Sequence, residues 1–170
     1  MIIIDQRTRQ LLIEDALNTF PDECCGFLFG REERDGTRLI IDILVVDNAK
    51  AGDKTRRFEI SPQDYMTAET HALEHDWLLL GIYHSHPKHP AIPSETDRLS
   101  AQPFFSYVII SVIEGNATKG HPPNVAPLPH SANDGQPSLR SVGDTTELRS
   151  WLLNEQRQFE EEKIIDYQYT

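Results

Sequence analysis

The chain has 170 residues, of which 38% are hydrophobic and 25% charged, and this composition is typical of a globular protein with one core. The formal net charge of −11 argues against a nucleic-acid partner, because neutralising phosphates requires a basic surface. No apolar run approaches the roughly 20 residues that a transmembrane helix needs. We therefore expect one domain over residues 1–170 that is not embedded in a membrane.

Cysteine usage and the N-terminal sequence both bear on the cellular compartment. Cys24 and Cys25 are the only cysteines, and adjacent cysteines rarely form a disulfide. The first ten residues, MIIIDQRTRQ, lack the basic start and long apolar run of a signal peptide. Both features indicate a reducing compartment, and we expect a cytoplasmic protein.

The N-terminal half is predicted to alternate strands with helices. Residues 2–4 indicate a short strand, and apolar residues at helical spacing predict a helix over residues 6–20. Two strands follow, at residues 25–30 and 39–46. Ser61 and Pro62 carry the signature of a helix start, and this helix is predicted to run to about His75.

The second half contains the histidines and a long variable segment. An apolar strand is predicted over residues 77–83, and the sequence His84-Ser85-His86 follows at its end. Beyond a proline-stiffened loop, Ser94 begins a short helix and residues 106–113 predict a buried strand. Residues 115–145 are rich in proline and polar residues, which predicts a long flexible loop.

The C-terminal tail fits two alternatives. Its apolar residues are compatible with a helix, or with a hairpin of strands 148–153 and 158–167 around the turn 154–157. Periodicity alone does not separate the two. The order of elements predicts an α/β fold, in which a central mixed β-sheet is flanked by helices.

His84, His86 and Asp97 are candidate metal ligands. The two histidines lie two positions apart on an extended segment, so they point to the same side of the strand. Two imidazoles and one carboxylate suit zinc, and three protein ligands leave a fourth position open, as in catalytic sites. The alternative is that Ser94 and Asp97 only form a helix-capping box, a pattern repeated at residues 61–64 without nearby histidines.

Glu23 is a candidate general base. A hydrolase needs a group that takes a proton from water, and sequence spacing cannot locate a remote one. Glu23 precedes an apolar strand, where its carboxylate could face inward. A solvated turn glutamate beside Asp22 is the alternative.

Three segments together resemble the JAMM metalloprotease domain, also called the JAB/MPN-plus domain. They are Pro21–Gly30, which contains Glu23, Gly81–Pro87, which contains both histidines, and Pro93–Asp97. The family motif is a glutamate upstream of His-Ser/Thr-His-x7-Ser-x2-Asp, and every part is matched in order and spacing. The resemblance runs from about residue 2 to residue 113, and more weakly through the tail.

The resemblance implies a role for each matched residue. His84, His86 and Asp97 would bind Zn²⁺, Glu23 would be the general base, and Ser94 would hydrogen-bond the tetrahedral intermediate. It also implies a cytidine-deaminase-like JAB/MPN fold. Family members often end in strands, which favours the C-terminal hairpin over the helix.

The resemblance further implies a substrate class. JAMM enzymes cleave peptide or isopeptide bonds after the C-terminal glycines of ubiquitin-like proteins, and this chain looks most like the stand-alone prokaryotic members. The expected substrate is a ubiquitin-like or sulfur-carrier protein, from which a C-terminal cysteine or a conjugated lysine is released. A non-catalytic MPN-type scaffold and a zinc hydrolase of other small amides are the alternatives. A nucleobase deaminase is set aside, because its His-x-Glu and Pro-Cys-x-x-Cys motifs are absent.

Overall fold

The computed structural model describes residues 1–113 and 146–167. The predicted loop at residues 115–145 lies outside the described residues, and a single domain over residues 1–170 stays a prediction. The described elements, in chain order, are β1 (Ile2–Asp5), α1 (Gln6–Thr19), β2 (Cys25–Glu32), β3 (Arg38–Val46), α2 (Pro62–Glu74), β4 (Leu78–Pro87), α3 (Glu95–Ser100), β5 (Ser106–Val112), β6 (Thr146–Leu153), β7 (Phe159–Glu162) and β8 (Ile164–Tyr167).

The helices begin where the sequence predicts. Asp5 caps α1 by accepting a hydrogen bond from the Thr8 amide, and Ser61 caps α2 in the same way from the Asp64 amide. Pro62 occupies the first turn of α2, where its missing N–H costs nothing. In the described part of the chain, no helix combines the length and apolar character needed to cross a membrane.

The strands form one mixed sheet in the order β7-β6-β5-β4-β2-β3-β1-β8. The pairs β4–β5, β1–β3 and β1–β8 are parallel, and the other four are antiparallel. Strand β4 continues through both histidines to Pro87, so its predicted end at residue 83 was too early. The predicted central mixed sheet is confirmed.

Opposite faces of the sheet bury two separate apolar clusters. On β2, Leu28 packs with Leu12 of α1 on one face, whereas Phe27 and Phe29 pack with Ala68 of α2 on the other. This alternation is the two-residue period of a strand covered on both faces. Helices therefore flank the sheet, as predicted.

The C-terminal hairpin is confirmed, but its second strand is shorter than predicted. Strand β7 pairs with β6 and ends at Glu162, whereas β8 begins at Ile164 and pairs in parallel with β1. A single strand over residues 158–167 was therefore wrong. Because β7 and β8 form opposite ends of the strand order and only Lys163 separates them, the sheet curls until its two edges meet.

The Glu162 carboxylate lies buried where the edges meet. It accepts hydrogen bonds from the hydroxyls of Ser106 and Ser150, both at 2.8 Å, and pairs with the Met1 amine at 3.0 Å. These partners belong to β5, β6 and the residue before β1. A buried carboxylate is tolerated only with such partners, and here they tie both edges of the sheet together.

Gly81→Ala is expected to destabilise the protein. A methyl group at this position of β4 would overlap the backbone carbonyl of Ser106 on β5, and a paired strand cannot move away cheaply. We expect the free energy of unfolding to fall by about 1–3 kcal/mol in urea denaturation. Leu78→Ala, in the same strand but 53% exposed, is the control and should change it by only about 0.5 kcal/mol. Equal stability of Gly81→Ala and wild type would contradict the close pairing.

Candidate metal centre

Strand β4 holds His84 and His86 side by side in the interior. Pairing with β2 on one side and β5 on the other fixes the β4 backbone. The two-residue period then points both imidazoles to the same face, with Ser85 between them on the opposite face. The two Nε2 atoms lie 3.0 Å apart, and both histidines are buried.

Helix α3 brings the Asp97 carboxylate to the same point. Asp97 Oδ1 lies 3.6 Å from His84 Nε2, and Asp97 Oδ2 lies 3.7 Å from His86 Nε2. One donor atom from each of the three residues falls within 4.8 Å of the others. The structure thus brings together the three side chains that the sequence predicts as ligands.

The capping box at the start of α3 is also present. The Asp97 amide donates to Ser94 Oγ at 3.2 Å, and the Ser94 amide donates to Asp97 Oδ2 at 2.6 Å. The two interpretations of this pair are therefore compatible, because the cap orients the carboxylate that faces the histidines. Ser94 itself is exposed at the edge of the cluster.

A hydrogen bond orients the His86 ring. Its Nδ1 lies 2.9 Å from the carbonyl oxygen of Pro90, so Nδ1 carries the proton and the Nε2 lone pair faces the cluster. The loop that supplies this carbonyl is held by Ser111, whose hydroxyl donates to the His89 carbonyl, and by Trp151, whose indole N–H donates to the Ala91 carbonyl. Nothing in the sequence pattern around Trp151 indicates this contact.

The His84 ring is held by packing. Phe58 stacks on it with ring centroids 4.4 Å apart, and His84 Nδ1 is buried without a hydrogen-bond partner among the described residues. Burial lowers the pKa of His84, so this imidazole is neutral near pH 7.

In the metal-free cluster, electrostatics keep Asp97 ionised and favour a proton on His86, which a bound metal would displace. Burial would raise the pKa of Asp97, but the close approach of His84 and His86 outweighs it and holds that pKa well below its usual range. Burial would lower the pKa of His86, yet Asp97 and the Pro90 carbonyl raise it above its ordinary value. Asp97 is thus a carboxylate beside two nitrogen donors, and this donor set fits zinc.

Strand register places Glu23 next to the cluster. Cys25 pairs with His84 in antiparallel register, and Cys24 exchanges hydrogen bonds with Ser85. One step further along the two chains, Glu23 comes level with His86. Glu23 is 5% exposed, and burial raises its pKa to about 8. It is therefore an inward-facing carboxyl group with a pKa suited to proton transfer near neutral pH.

A cavity of about 590 Å³ joins the predicted catalytic residues. It is lined by Glu23, His86 and Ser94, together with Lys50, Asp53, Arg56, Arg57, His89, Pro90, Ile92 and Thr96. A second cavity of about 190 Å³ lies on the His84 and Asp97 side, with aromatic and aliphatic walls that include Phe58, Ile60, Tyr65, Ile82 and Tyr107. A hydrogen bond from the Arg57 guanidinium to Thr96 Oγ1 links the loop before α2 to helix α3.

Sequence reasoning missed the lining residues between positions 50 and 60. The available signal was a run of four cations, Lys50, Lys54, Arg56 and Arg57, in a chain of net charge −11. Spacing alone does not say that this run reaches the histidines.

The two cysteines are packing residues. Both are free and buried, and burial raises the pKa of the Cys25 thiol to about 12 and that of Cys24 well above its ordinary value. Protonated thiols are poor metal ligands and poor nucleophiles.

Glu23→Gln is expected to stabilise the metal-free protein at neutral pH. Burial raises the pKa of Glu23 in the folded state from 4.5 to about 8. The resulting contribution to the free energy of unfolding is fully present below pH 4.5 and is lost as the pH rises through about 8. We expect the free energy of unfolding of Glu23→Gln to exceed that of wild type by an amount that grows with pH, up to about 5 kcal/mol. Thermal unfolding measured from about pH 4 to about pH 9 checks this. Glu155→Gln, in an exposed turn, is the control, and identical profiles for both variants would contradict the burial of a charged Glu23.

The family model for prokaryotic homologs of the JAB domain matches residues 5–125. Among characterised sequences, Tail tip assembly protein K of Escherichia phage N15 is 27% identical over 125 residues, which are 72% of this chain and 46% of that protein. Desampylase of Pyrococcus furiosus is 29% identical over 96 residues, which are 56% of this chain and 63% of that protein. The matches thus span less than two thirds of the length of either relative.

Solved structures agree with the family match. A protein from Desulfitobacterium hafniense superposes with a TM-score of 0.73 at 25% identity, over 99% of this chain and 94% of that one. A JAB1/MPN domain protein from Archaeoglobus fulgidus superposes with a TM-score of 0.50 at 14% identity, over 97% and 98% of the two chains, which shows a shared fold. The predicted α/β JAB/MPN fold is confirmed, and the chain belongs to the family of prokaryotic homologs of the JAB domain.

Proposed function

We propose that this chain is a zinc-dependent peptidase or isopeptidase of the JAMM type. Its substrate is a ubiquitin-like or sulfur-carrier protein, cleaved after the C-terminal glycine. The observation that carries the proposal is the convergence of two histidines, Asp97 and a buried glutamate beside one open cavity. The desampylase relative supports the choice of ubiquitin-like conjugates.

His84, His86 and Asp97 would hold the zinc ion. Their donor atoms already lie within 4.8 Å of one another, and the Pro90 carbonyl fixes the His86 tautomer that leaves Nε2 free. Bound there, zinc supplies Lewis acidity, which makes water a competent nucleophile near neutral pH. The three ligands leave one side of the site open to the cavity that Glu23 lines.

Glu23 moves the proton in the proposed reaction. Its carboxylate takes a proton from the attacking water, whose hydroxide adds to the carbonyl carbon of the glycine. The C–N bond then breaks, and the same proton passes to the departing amine. A carboxyl group with a pKa of about 8 in the metal-free protein can both accept and return a proton near neutral pH.

Ser94 stabilises the developing negative charge. Its exposed hydroxyl borders both cavities next to Asp97 and can rotate to donate to the oxyanion. The same oxygen caps α3, so one residue both orients the metal ligand and faces the substrate.

A non-catalytic role in protein assembly is the second candidate. The phage relative is named Tail tip assembly protein K, and this name favours assembly over catalysis. The presence of all five motif residues favours the enzyme. A buried glutamate beside three metal donors costs stability, and a role in assembly does not require it. Hydrolysis of other small amides is a further alternative within the enzyme class.

Glu23→Gln is expected to retain zinc and to lose turnover by about 10² to 10⁴-fold, since an amide keeps the shape of the side chain but cannot accept the proton. Asp97→Asn is expected to lose both zinc and turnover. Its amide oxygen can still accept the hydrogen bond from the Ser94 amide, so the helix cap is kept. The assay uses a ubiquitin-like protein with one residue added after its C-terminal Gly-Gly, followed by mass spectrometry, and elemental analysis measures zinc.

Asp22→Asn is the matched control, because it removes the neighbouring carboxylate, which is more exposed than Glu23. It should leave zinc content and turnover unchanged. Equal turnover in Glu23→Gln and wild type would remove Glu23 from the mechanism. Protein purified without zinc, with a stability that chelators do not change, would favour the scaffold.

Ser94→Ala and Ser61→Ala separate capping from catalysis. Each serine caps a helix and accepts a hydrogen bond from an aspartate amide three residues later, so each variant should lose about 1 kcal/mol of stability. Only Ser94 faces the cavities, and only Ser94→Ala should lower turnover, by about a hundredfold. Equal turnover in the two variants would leave Ser94 with a capping role alone.

A further inference from the structure

Basic residues line the cavity that contains Glu23 and His86, although the chain as a whole carries a net charge of −11. Lys50, Arg56 and Arg57 all contribute to its wall. Cations in a cleft focus the electric field and raise the local concentration of an anionic ligand. The proposed hydrolysis with Glu23 and zinc does not use these cations.

Asn48 fixes the segment that carries these cations against the catalytic side. Its buried amide nitrogen donates to the carbonyl oxygens of Glu23 and Arg57, both at 3.0 Å. Its oxygen accepts hydrogen bonds from the amides of Lys50 at 3.0 Å and Glu59 at 3.1 Å. The backbone that carries the cations therefore has a set position relative to Glu23.

The side chains of Arg56 and Lys50 make no hydrogen bond or ion pair to residues that the structure describes. The nearby carboxylate of Asp53 is engaged elsewhere, because it accepts hydrogen bonds from the Thr55 amide at 2.9 Å and the Thr55 hydroxyl at 2.6 Å. Those bonds, and more weakly Arg56, lower the pKa of Asp53. The donors of Arg56 are thus available to a ligand in the cavity.

We propose that Arg56 and Lys50 form a carboxylate-binding subsite, and that its ligand is the α-carboxylate of the C-terminal residue that the reaction releases. The guanidinium of Arg56 suits a planar carboxylate, which it can bind through two parallel hydrogen bonds. This inference rests on the proposed function and narrows its substrate class. We expect the enzyme to prefer a Gly-Gly tail that is extended by one residue with a free C-terminus over an isopeptide conjugate to a lysine.

The size of the cavity agrees with this ligand. A volume of about 590 Å³ lies in the range of small-molecule sites and accommodates a released amino acid together with part of the tail. Because Glu23, His86 and Arg56 line the same cavity, one substrate bound there can reach both Arg56 and the groups that would cut the bond.

Two peptides test the subsite with the zinc-loaded protein. Both end in Gly-Gly followed by one alanine, and the C-terminus is a free acid in one and an amide in the other. We expect wild type to prefer the acid by about tenfold in kcat/KM, as for one charge-assisted hydrogen bond. Arg56→Gln leaves only Lys50 in the subsite and should remove most of this preference, while cleavage of the amide stays within about twofold; Arg56→Lys should restore part of the preference.

Lys54→Gln is the matched control. It removes one positive charge from the same segment, but Lys54 does not line the cavity. It should keep the preference for the acid. A wild type that cleaves acid and amide equally, or a Lys54→Gln variant that loses the preference as fully as Arg56→Gln does, would overturn the subsite.

A third peptide separates two sources of the carboxylate. It ends in Gly-Gly-Glu amide and carries the charge on a side chain. If this peptide is cleaved as fast as the free acid in an Arg56-dependent way, the ligand is an acidic side chain and the α-carboxylate assignment is overturned. Slow cleavage, equal to that of the alanine amide, supports it.

A binding measurement keeps the subsite testable if no peptide is cleaved, an outcome that would count against the proposed function. Alanine with a free carboxylate and alanine amide are titrated into the metal-free protein, and NMR shifts are recorded. Saturable shifts caused by the acid alone, and lost in Arg56→Gln, support the subsite independently of turnover. Equal shifts from both compounds, or shifts retained in Arg56→Gln, overturn it.

Discussion

The double pairing of strand β4 is the constraint on which the site depends. Because β4 is hydrogen-bonded to β2 on one side and to β5 on the other, its backbone cannot rotate or slip without breaking both ladders. A slip of one residue would turn His84 and His86 to the opposite face. Close neighbours add to this constraint, since a side chain at Gly81 would overlap the Ser106 carbonyl. The two imidazoles are thus held by the sheet itself, and the candidate metal centre has a rigid base.

Two loops supply the remaining walls and contacts of the candidate site, and each loop is held in place by hydrogen bonds to buried groups. Trp151 and Ser111 fix the loop whose Pro90 carbonyl orients His86. On the other side, Asn48 fixes the segment that carries the basic residues. Loops with their backbone groups satisfied in this way can present side chains with little loss of entropy on binding. The cavity is therefore preorganised on both sides of the cluster.

Glu23 shows the energetic cost of such a site. Burial of its carboxyl group raises its pKa to about 8, so the ionised form that the proposed mechanism uses destabilises the metal-free fold. Asp97 differs, because its attraction to two histidines holds it ionised in spite of burial. A cation at the cluster would favour the ionised form of both carboxylates. In the metal-free protein, stability and the proposed activity are thus opposed at Glu23 and aligned at Asp97.

Short-range periodicity made several features of this site predictable from the amino-acid sequence. His84 and His86 point to the same face because side chains of a strand alternate with a period of two residues. Ser94 caps α3 because an N-cap side chain bonds the backbone amide three residues later, here that of Asp97. Most element positions followed from the same patterns, but the tail did not, since helix and hairpin fit equally and the break at Lys163 has no local signal. Two features could be seen only in the folded chain: Glu23 comes level with His86, and Arg56 lines their cavity. Strand register and loop placement depend on contacts between distant segments, which local patterns do not encode.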